Sequence, residues 1–236
     1  TYVSGMARGL LSESGLPIYR HARKKALQEA DLVILAGVPC DFRLDYGRHI
    51  NHKANIISIN LSREDLYMNR KPTRGILEYP EMFLISLSQE YKQNNWKNWQ
   101  RILMDREQQR NDEISRQAEE KTEFINPLKI CLAINSHIKK GDIIIADGGD
   151  FVATASYILR PRSLRGWLDP GVFGTLGVGA GFSMGAQLTH PKSVVWAIYG
   201  DGAFGYSLME YDTFVRHNIP VIAIIGNDAG WTQIAR

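Results

Sequence analysis

Five short apolar runs, each closing on glycine, aspartate or asparagine, constrain this chain more than any other feature. They are DLVILAG (31–37), NIISIN (55–60), GDIIIADGGD (141–150), SVVWAIYGDG (193–202) and PVIAIIGND (220–228). Runs this short and this continuously apolar predict strands buried on both faces, as parallel sheets require. Helical stretches separate them. RHARKKALQEA (20–30) precedes the first run, and REDLYMN (63–69), with a cap at Ser62, follows the second. Between the last two runs, Phe204, Leu208, Tyr211 and Phe214/Val215 recur at helical spacing and predict one crossover helix. The alternation predicts an α/β fold with parallel sheets flanked by helices.

A polar stretch divides the pattern. Residues 91–125 are rich in charge and glutamine and read as a surface helix or helical linker with a solvated face. The expected organisation is one unit over 1–90, the linker over 91–125 and a second unit over 126–236, starting near Asn126-Pro127. Both ends, TYVSGMARG and NDAGWTQIAR, read as interior segments. Each unit is therefore expected to be an incomplete piece of a longer protein.

Composition excludes several classes. A net charge of +3, with no basic run carrying interleaved aromatics, gives no nucleic-acid footprint. No apolar stretch reaches 18 residues, and no signal peptide is present. Cys40 and Cys131 form no CxxC pair and read as reduced structural thiols. Of the six histidines only His49 and His52 are close, and a solvated loop accounts for them.

The chemistry concentrates at Gly200-Asp201-Gly202. Flanking glycines let the backbone approach a ligand closely, while the acid projects from a strand end into the crevice where α/β proteins bind ligands. Asn227 closes the next strand, with 24 residues between it and Gly202. Strands joined by one crossover helix often lie side by side, roughly 4.8 Å apart, so the two side-chain oxygens converge. A carboxylate, an amide oxygen and nearby carbonyls suit Mg²⁺, which shares its remaining positions with phosphate and water. The positive N-terminus of a helix starting near Ala203 points into the same space. The constellation reads as a site for a metal-bridged diphosphate.

Other phosphate motifs fail. There is no GxxxxGK[ST]. GTLGVGAGFSMG (174–185) nearly spells a dinucleotide fingerprint, but Phe182 and Met184 stand where its last glycine is needed. The preceding GWLDPGVF is broken by Asp169-Pro170-Gly171 and is not expected to form a strand. Those glycines also fit a helix packed closely on another segment.

GDG, 24 residues and ND resembles the thiamine diphosphate signature, with Asp228 where the family has a second asparagine. ADGGDF, DPGVFGTLGVGAGFSMGAQL, GMARGLL, EADLVILAGVPCDFRLDYGR and DTFVRHNIPV extend the resemblance to acetolactate synthase-like thiamine diphosphate enzymes, and among these to the acyl-CoA lyases. It covers nearly the whole chain outside 90–125. The resemblance implies a three-domain subunit. Residues 1–90 would be the later part of its central domain, and 126–236 the first part of its diphosphate-binding domain. It implies that Asp201, Asn227 and the carbonyl of Ala229 bind Mg²⁺, and that Gly202 and Ala203 offer N–H groups to the diphosphate. Gly149, Asp150 and Phe151 match the turn against the cofactor, and Gly174 matches a backbone contact at the aminopyrimidine. Leu176 matches the residue wedged beneath the cofactor, although a core role fits it equally.

The resemblance further implies that the cofactor-activating glutamate lies upstream of residue 1. No catalytic residue is then expected in this chain, and Glu210 has no assigned role. For the central domain it implies a nucleotide, CoA or ADP in lyases and FAD in acetolactate synthases. Gly37 ends a strand there, and Arg23 matches a phosphate contact or is simply a solvated helix residue. Asn60 replaces the expected ribose-binding acid. The implied activity is cleavage of 2-hydroxyacyl-CoA to formyl-CoA and an aldehyde shortened by one carbon. Alternatives are a 2-keto acid carboligase and a non-catalytic relative. A homodimer or homotetramer is implied, attached to the endoplasmic reticulum membrane only through a segment outside these residues.

Overall fold

The computed structural model describes residues 1–90 and 96–235. By its internal contacts it divides into Ala22–Glu107 and a second unit made of Thr1–His21 with Gln108–Arg236. Residues 1–21 thus pack with the C-terminal unit, away from the 1–90 grouping expected of them. Three contacts explain this. Arg8 lies over the Trp167 ring at 4.6 Å, the Arg20 guanidinium donates to the Leu159 carbonyl at 2.6 Å, and Gly9 fits against Ser163 where a Cβ would not. The first residues of the expected linker, 91–95, lie outside the described residues.

In the Ala22–Glu107 unit, α1 (Arg23–Glu29) leads into β1 (Leu32–Ala36). The helix starts later than the sequence pattern predicts because Ala22 adopts a left-handed φ of 55° and cannot continue a helical turn. β2 (Asn55–Asn60), α2 (Arg63–Tyr67), β3 (Arg74–Leu77) and α3 (Pro80–Glu90) follow. Ser62 caps α2 as predicted, its hydroxyl accepting from the Asp65 N–H at 3.2 Å. The three strands are parallel in the order β1-β2-β3. Val33, Leu35 and Ile56 pack on one face with Leu44, Ile50 and Leu27 of α1. On the other face Leu32 and Ile34 are 46% and 38% exposed, so β1 is half-buried where its sequence predicts full burial. α4 (Lys97–Ala118) forms most of the predicted linker helix.

The second unit builds its sheet from α5 (Pro127–His137), β4 (Ile143–Ala146), α6 (Asp150–Ile158), β5 (Trp167–Leu168), α7 (Gly179–Thr189), β6 (Val195–Gly200), α8 (Asp201–Gly205), α9 (Glu210–Arg216), β7 (Ile222–Gly226) and α10 (Thr232–Ala235). Asn126 caps α5, with Pro127 at the position where a missing N–H costs nothing. The strands are parallel in the order β5-β4-β6-β7. Here both faces are covered. Ile144, Ala146 and Ile198 face a cluster with α5 and α6, while Ile143, Ile145, Ala197 and Tyr199 face Ala186 of α7 and the crossover aromatics.

Two expectations are corrected in this unit. Trp167 and Leu168 do form a strand, short enough to end before Asp169-Pro170 and paired with Ile144 and Ile145. The single crossover helix is instead two helices, with Leu208 and Val215 53% and 79% exposed. Gly205 ends α8, where a glycine loses most by staying helical. Cys40 and Cys131 are buried free thiols, and burial pushes the Cys131 thiol up to about 12. Among the described residues no helix is long and apolar enough to cross a membrane.

Candidate functional site

At the carboxyl edge of the second sheet, three strand ends converge on glycines. The Gly200 N–H donates to the Gly148 carbonyl at 2.8 Å, joining the ends of β4 and β6. A Cβ on Gly200 would meet that carbonyl oxygen at 2.8 Å, and one on Gly226 would meet the Phe151 ring at 2.2 Å. The pairing of Gly200 with Gly226 brings Asp201 and Asn227 in at the same edge, as the sequence predicts for adjacent strands. Gly149, with φ of 114°, turns the chain from β4 into α6, a conformation that L side chains resist.

These ends wall a cleft of about 220 Å³. Of the residues singled out from the sequence, Gly149, Asp150, Phe151, Gly174, Leu176, Asp201, Gly202 and Ala203 all line it. Leu176 is half-buried, and its Cδ2 fills the space that a Cβ on Gly148 would occupy, 1.9 Å away. Gly202 faces the Trp231 ring, where a Cβ would lie 2.8 Å from it.

The end of β7 turns on two local side-chain bonds. Asp228 and Gly230 line the cleft; Asn227 and Ala229 are not among its lining residues. The Asn227 side-chain oxygen turns back and accepts from the Ala229 N–H at 3.0 Å. That bond forms the turn at the strand end. Asp228 likewise accepts from the Gly230 N–H at 3.2 Å.

Asp150, Asp201 and Asp228 contribute carboxylates to the lining, and among the described residues no Lys, Arg or His lines it. Among the described residues no group of three His, Cys, Asp or Glu side chains is close enough to hold a metal by itself. Any cation here would need carbonyl, water or ligand oxygens as well, which suits a hard ion.

Sequence reasoning passed over Asp147. It is only 5% exposed, and its two oxygens accept from the N–H groups of Gly177 at 3.0 Å and Gly179 at 2.8 Å. Burial raises its carboxyl above the ordinary value, and the two N–H bonds offset part of that. Its signal was an acid closing an apolar strand, the same signal used for Asp201. Asp169 holds the other end of the same segment, accepting from Trp167 Nε1 at 2.8 Å and from the Gly171 N–H at 2.9 Å.

In the Ala22–Glu107 unit, Gly37 and Asn60 follow the paired residues Ala36 and Ile59 at one strand edge. Their polar groups are engaged locally. The Gly37 N–H donates to the Ile59 carbonyl at 2.9 Å, and Asn60 Oδ1 accepts from the Ser62 N–H at 3.1 Å. Arg23 donates to the Arg43 carbonyl at 2.7 Å. Glu210 is exposed.

Residues 147–236 match the family described as thiamine pyrophosphate enzyme, C-terminal TPP binding domain. The whole chain is 45% identical to 2-hydroxyacyl-CoA lyase 2 of Mus musculus and 43% identical to that of Homo sapiens. It spans 38% of the length of each. Over 97% of the chain it is 31% identical to the acetolactate synthase large subunit IlvG of Mycobacterium tuberculosis, covering 42% of that protein.

Proposed function

We propose, from the premise that residues 147–236 form a thiamine pyrophosphate enzyme TPP-binding domain, that this chain is the cofactor-holding part of a carbon–carbon lyase. Its substrate would be a 2-hydroxyacyl-CoA, and its products formyl-CoA and an aldehyde shortened by one carbon. The observation that carries the cofactor reading is the glycine-walled cleft with Asp201 and Asp228 in its lining. The Asp201 carboxylate would repel a diphosphate unless a divalent cation lay beside both. The residues present fit that group. Asp201 offers a carboxylate, the 227–230 turn offers Asp228 with nearby carbonyls, and Gly202 and Ala203 open α8 with backbone N–H groups.

When bound, thiamine diphosphate supplies the electron sink that carbon–carbon cleavage needs. This chain's residues would hold and orient it. Gly149, Asp150 and Phe151 would form one wall, Gly174 would offer a backbone contact at the ring end, and Leu176 would support it from beneath. Asn227 and the Ala229 carbonyl are the proposed metal ligands from β7, and Asp228 and Gly230, which line the cleft, are the second candidates. Identity of 43–45% to the lyases against 31% to the acetolactate synthase supports acyl-CoA cleavage over 2-keto acid condensation. The same reading makes residues 1–90 central-domain sequence and assigns Arg23, Gly37 and Asn60 to a CoA, ADP or FAD site. It also includes assembly as a homodimer or homotetramer and attachment to the endoplasmic reticulum through residues outside this chain.

The test uses full-length protein with thiamine diphosphate and Mg²⁺, offered 2-hydroxyacyl-CoA or pyruvate separately. Formyl-CoA and aldehyde from the thioester are expected; acetolactate from pyruvate with the thioester intact would overturn the substrate assignment. Calorimetry on Asp201→Ala should show cofactor binding lost with circular dichroism unchanged. Unaltered affinity would sink the metal assignment.

A further inference from the structure

We infer that Asp147 is a positioning residue of the cleft, whose buried carboxylate fixes the backbone at Gly177 and Gly179 and thereby seats Leu176 in the cleft wall. The inference rests on the proposed cofactor reading and adds to it a residue outside the cleft lining.

The geometry is specific. Asp147 directly follows β4, and each carboxylate oxygen takes one N–H from the segment that enters α7. The segment is confined from the opposite side as well. A Cβ on Gly177 would lie 2.8 Å from Tyr206 Cβ, one on Gly179 would lie 2.4 Å from the Tyr199 ring, and the Ser207 hydroxyl donates to the Gly177 carbonyl at 3.3 Å. With Gly177 held so, Leu176 extends into the space left by Gly148. A 1 Å displacement of Gly177 would carry Leu176 with it and reshape the floor of the cleft.

The choice of side chain points the same way. A carboxylate buried beside backbone N–H groups alone carries a desolvation cost that a neutral side chain would avoid. What it provides is two acceptors and no donor. An asparagine at this position would turn an NH₂ group toward one of the two N–H groups and lose that bond. A carboxylate therefore holds both amides where the amide of asparagine holds one.

The experiment uses the full-length protein with Mg²⁺ and thiamine diphosphate. Four variants are compared: Asp147→Asn, Leu176→Ala, the double substitution, and Asp142→Asn. Asp142 is a matched control, another buried carboxylate, which accepts from Trp196 Nε1 and the Lys139 N–H at the opposite end of β4. Asp147→Asn should weaken cofactor binding about tenfold, the effect of one lost charge-assisted bond. Asp142→Asn should lower the unfolding temperature and leave affinity unchanged. Because Asp147 acts through Leu176, the effects of Asp147→Asn and Leu176→Ala on affinity should fail to add. Unchanged affinity in Asp147→Asn, or full additivity with Leu176→Ala, overturns the inference. Should Asp147→Asn fail to fold, hydrogen exchange in the unmodified protein decides. The Gly177 and Gly179 amides should be protected, and exchange as fast as at the exposed Phe173 overturns the clamp. Unmodified protein that binds no thiamine diphosphate would defeat the proposed function, and exchange at the two glycines would still settle the clamp by itself.

Discussion

The two units present the same kind of strand edge and use it in opposite ways. At the edge of β1 and β2, Gly37 bonds back to Ile59, Asn60 bonds to Ser62, and Pro80 lies 3.3 Å from where a Gly37 Cβ would stand. Polar groups there satisfy one another. At the edge of β4, β6 and β7, Gly148, Gly200 and Gly226 stand where a Cβ would close the space, and Asp150, Asp201 and Asp228 line it. The difference teaches that a strand end becomes a site through what it leaves unfinished. A half-buried acid such as Asp201 costs stability, and a fold retains it where a ligand completes it.

Replacing one strand-end glycine at each edge would break the comparison most sharply. Gly226→Val should abolish thiamine diphosphate binding, by more than about 100-fold, because its Cβ would stand 2.2 Å from Phe151 Cγ and 2.3 Å from Phe151 Cβ. Neither atom is the free end of a flexible chain, so overpacking should also cost about 1–3 kcal/mol of stability. Gly37→Ala places a side chain at φ of 70° and should cost about 1–2 kcal/mol, with cofactor affinity intact. Calorimetry and thermal unfolding read both. Normal binding by Gly226→Val would show that the cleft is not the site.

Within the open edge, Asn227→Ala should weaken Mg²⁺-dependent cofactor binding by about tenfold or more. It should also cost about 1 kcal/mol of stability, because its oxygen serves the turn at Ala229. Asp228→Ala should act less on affinity. The reverse ranking, with Asp228→Ala the more damaging to affinity, would move the metal site to Asp228 and Gly230. At the closed edge, Arg23→Ala removes a bond to the Arg43 carbonyl and should cost about 0.5–1.5 kcal/mol. Its thiamine diphosphate affinity should match that of the unmodified protein. A tenfold loss would mean that the Ala22–Glu107 unit takes part in holding the cofactor.

β1, β2, β4, β6 and β7, their parallel pairing and the meeting of Asp201 with the end of β7 were legible in the sequence, because each follows from a local apolar run and its closing residue. Beyond the short β3 and β5, three features were not. β1 has the same continuous apolar run as β4, yet Leu32 and Ile34 are exposed, because covering a face depends on elements a run does not encode. The turn after β7 depends on the Asx bond made by Asn227, a local side-chain choice that the strand pattern does not encode. Asp147 closes an apolar run as Asp201 does, but the two partners that define its role lie 30 and 32 residues away.

The smallest expected effects set one acid in each unit against the other. Burial pushes Asp147 up and is only partly offset by its two N–H bonds. Burial also pushes on Asp41, but there the hydrogen bonds and charge of Arg43, 2.6 Å away, win and hold the carboxyl below its ordinary value. The signs of linkage are therefore opposite. A raised folded value gives stability that is present below the unfolded value, about 3.9, and is lost as pH rises through the folded one. A lowered value gives stability that is present above the unfolded value and is lost as pH falls through the folded one. Unfolding free energies should be measured against pH for the unmodified protein, Asp147→Asn and Asp41→Asn, neither asparagine being able to titrate. From pH of about 4 upward, the unmodified protein should lose ground relative to Asp147→Asn. From pH of about 4 downward, it should lose ground relative to Asp41→Asn. Two slopes of the same sign would mean that the backbone N–H groups at Asp147 outweigh its burial, and that the clamp stabilises the fold as well as shaping the cleft.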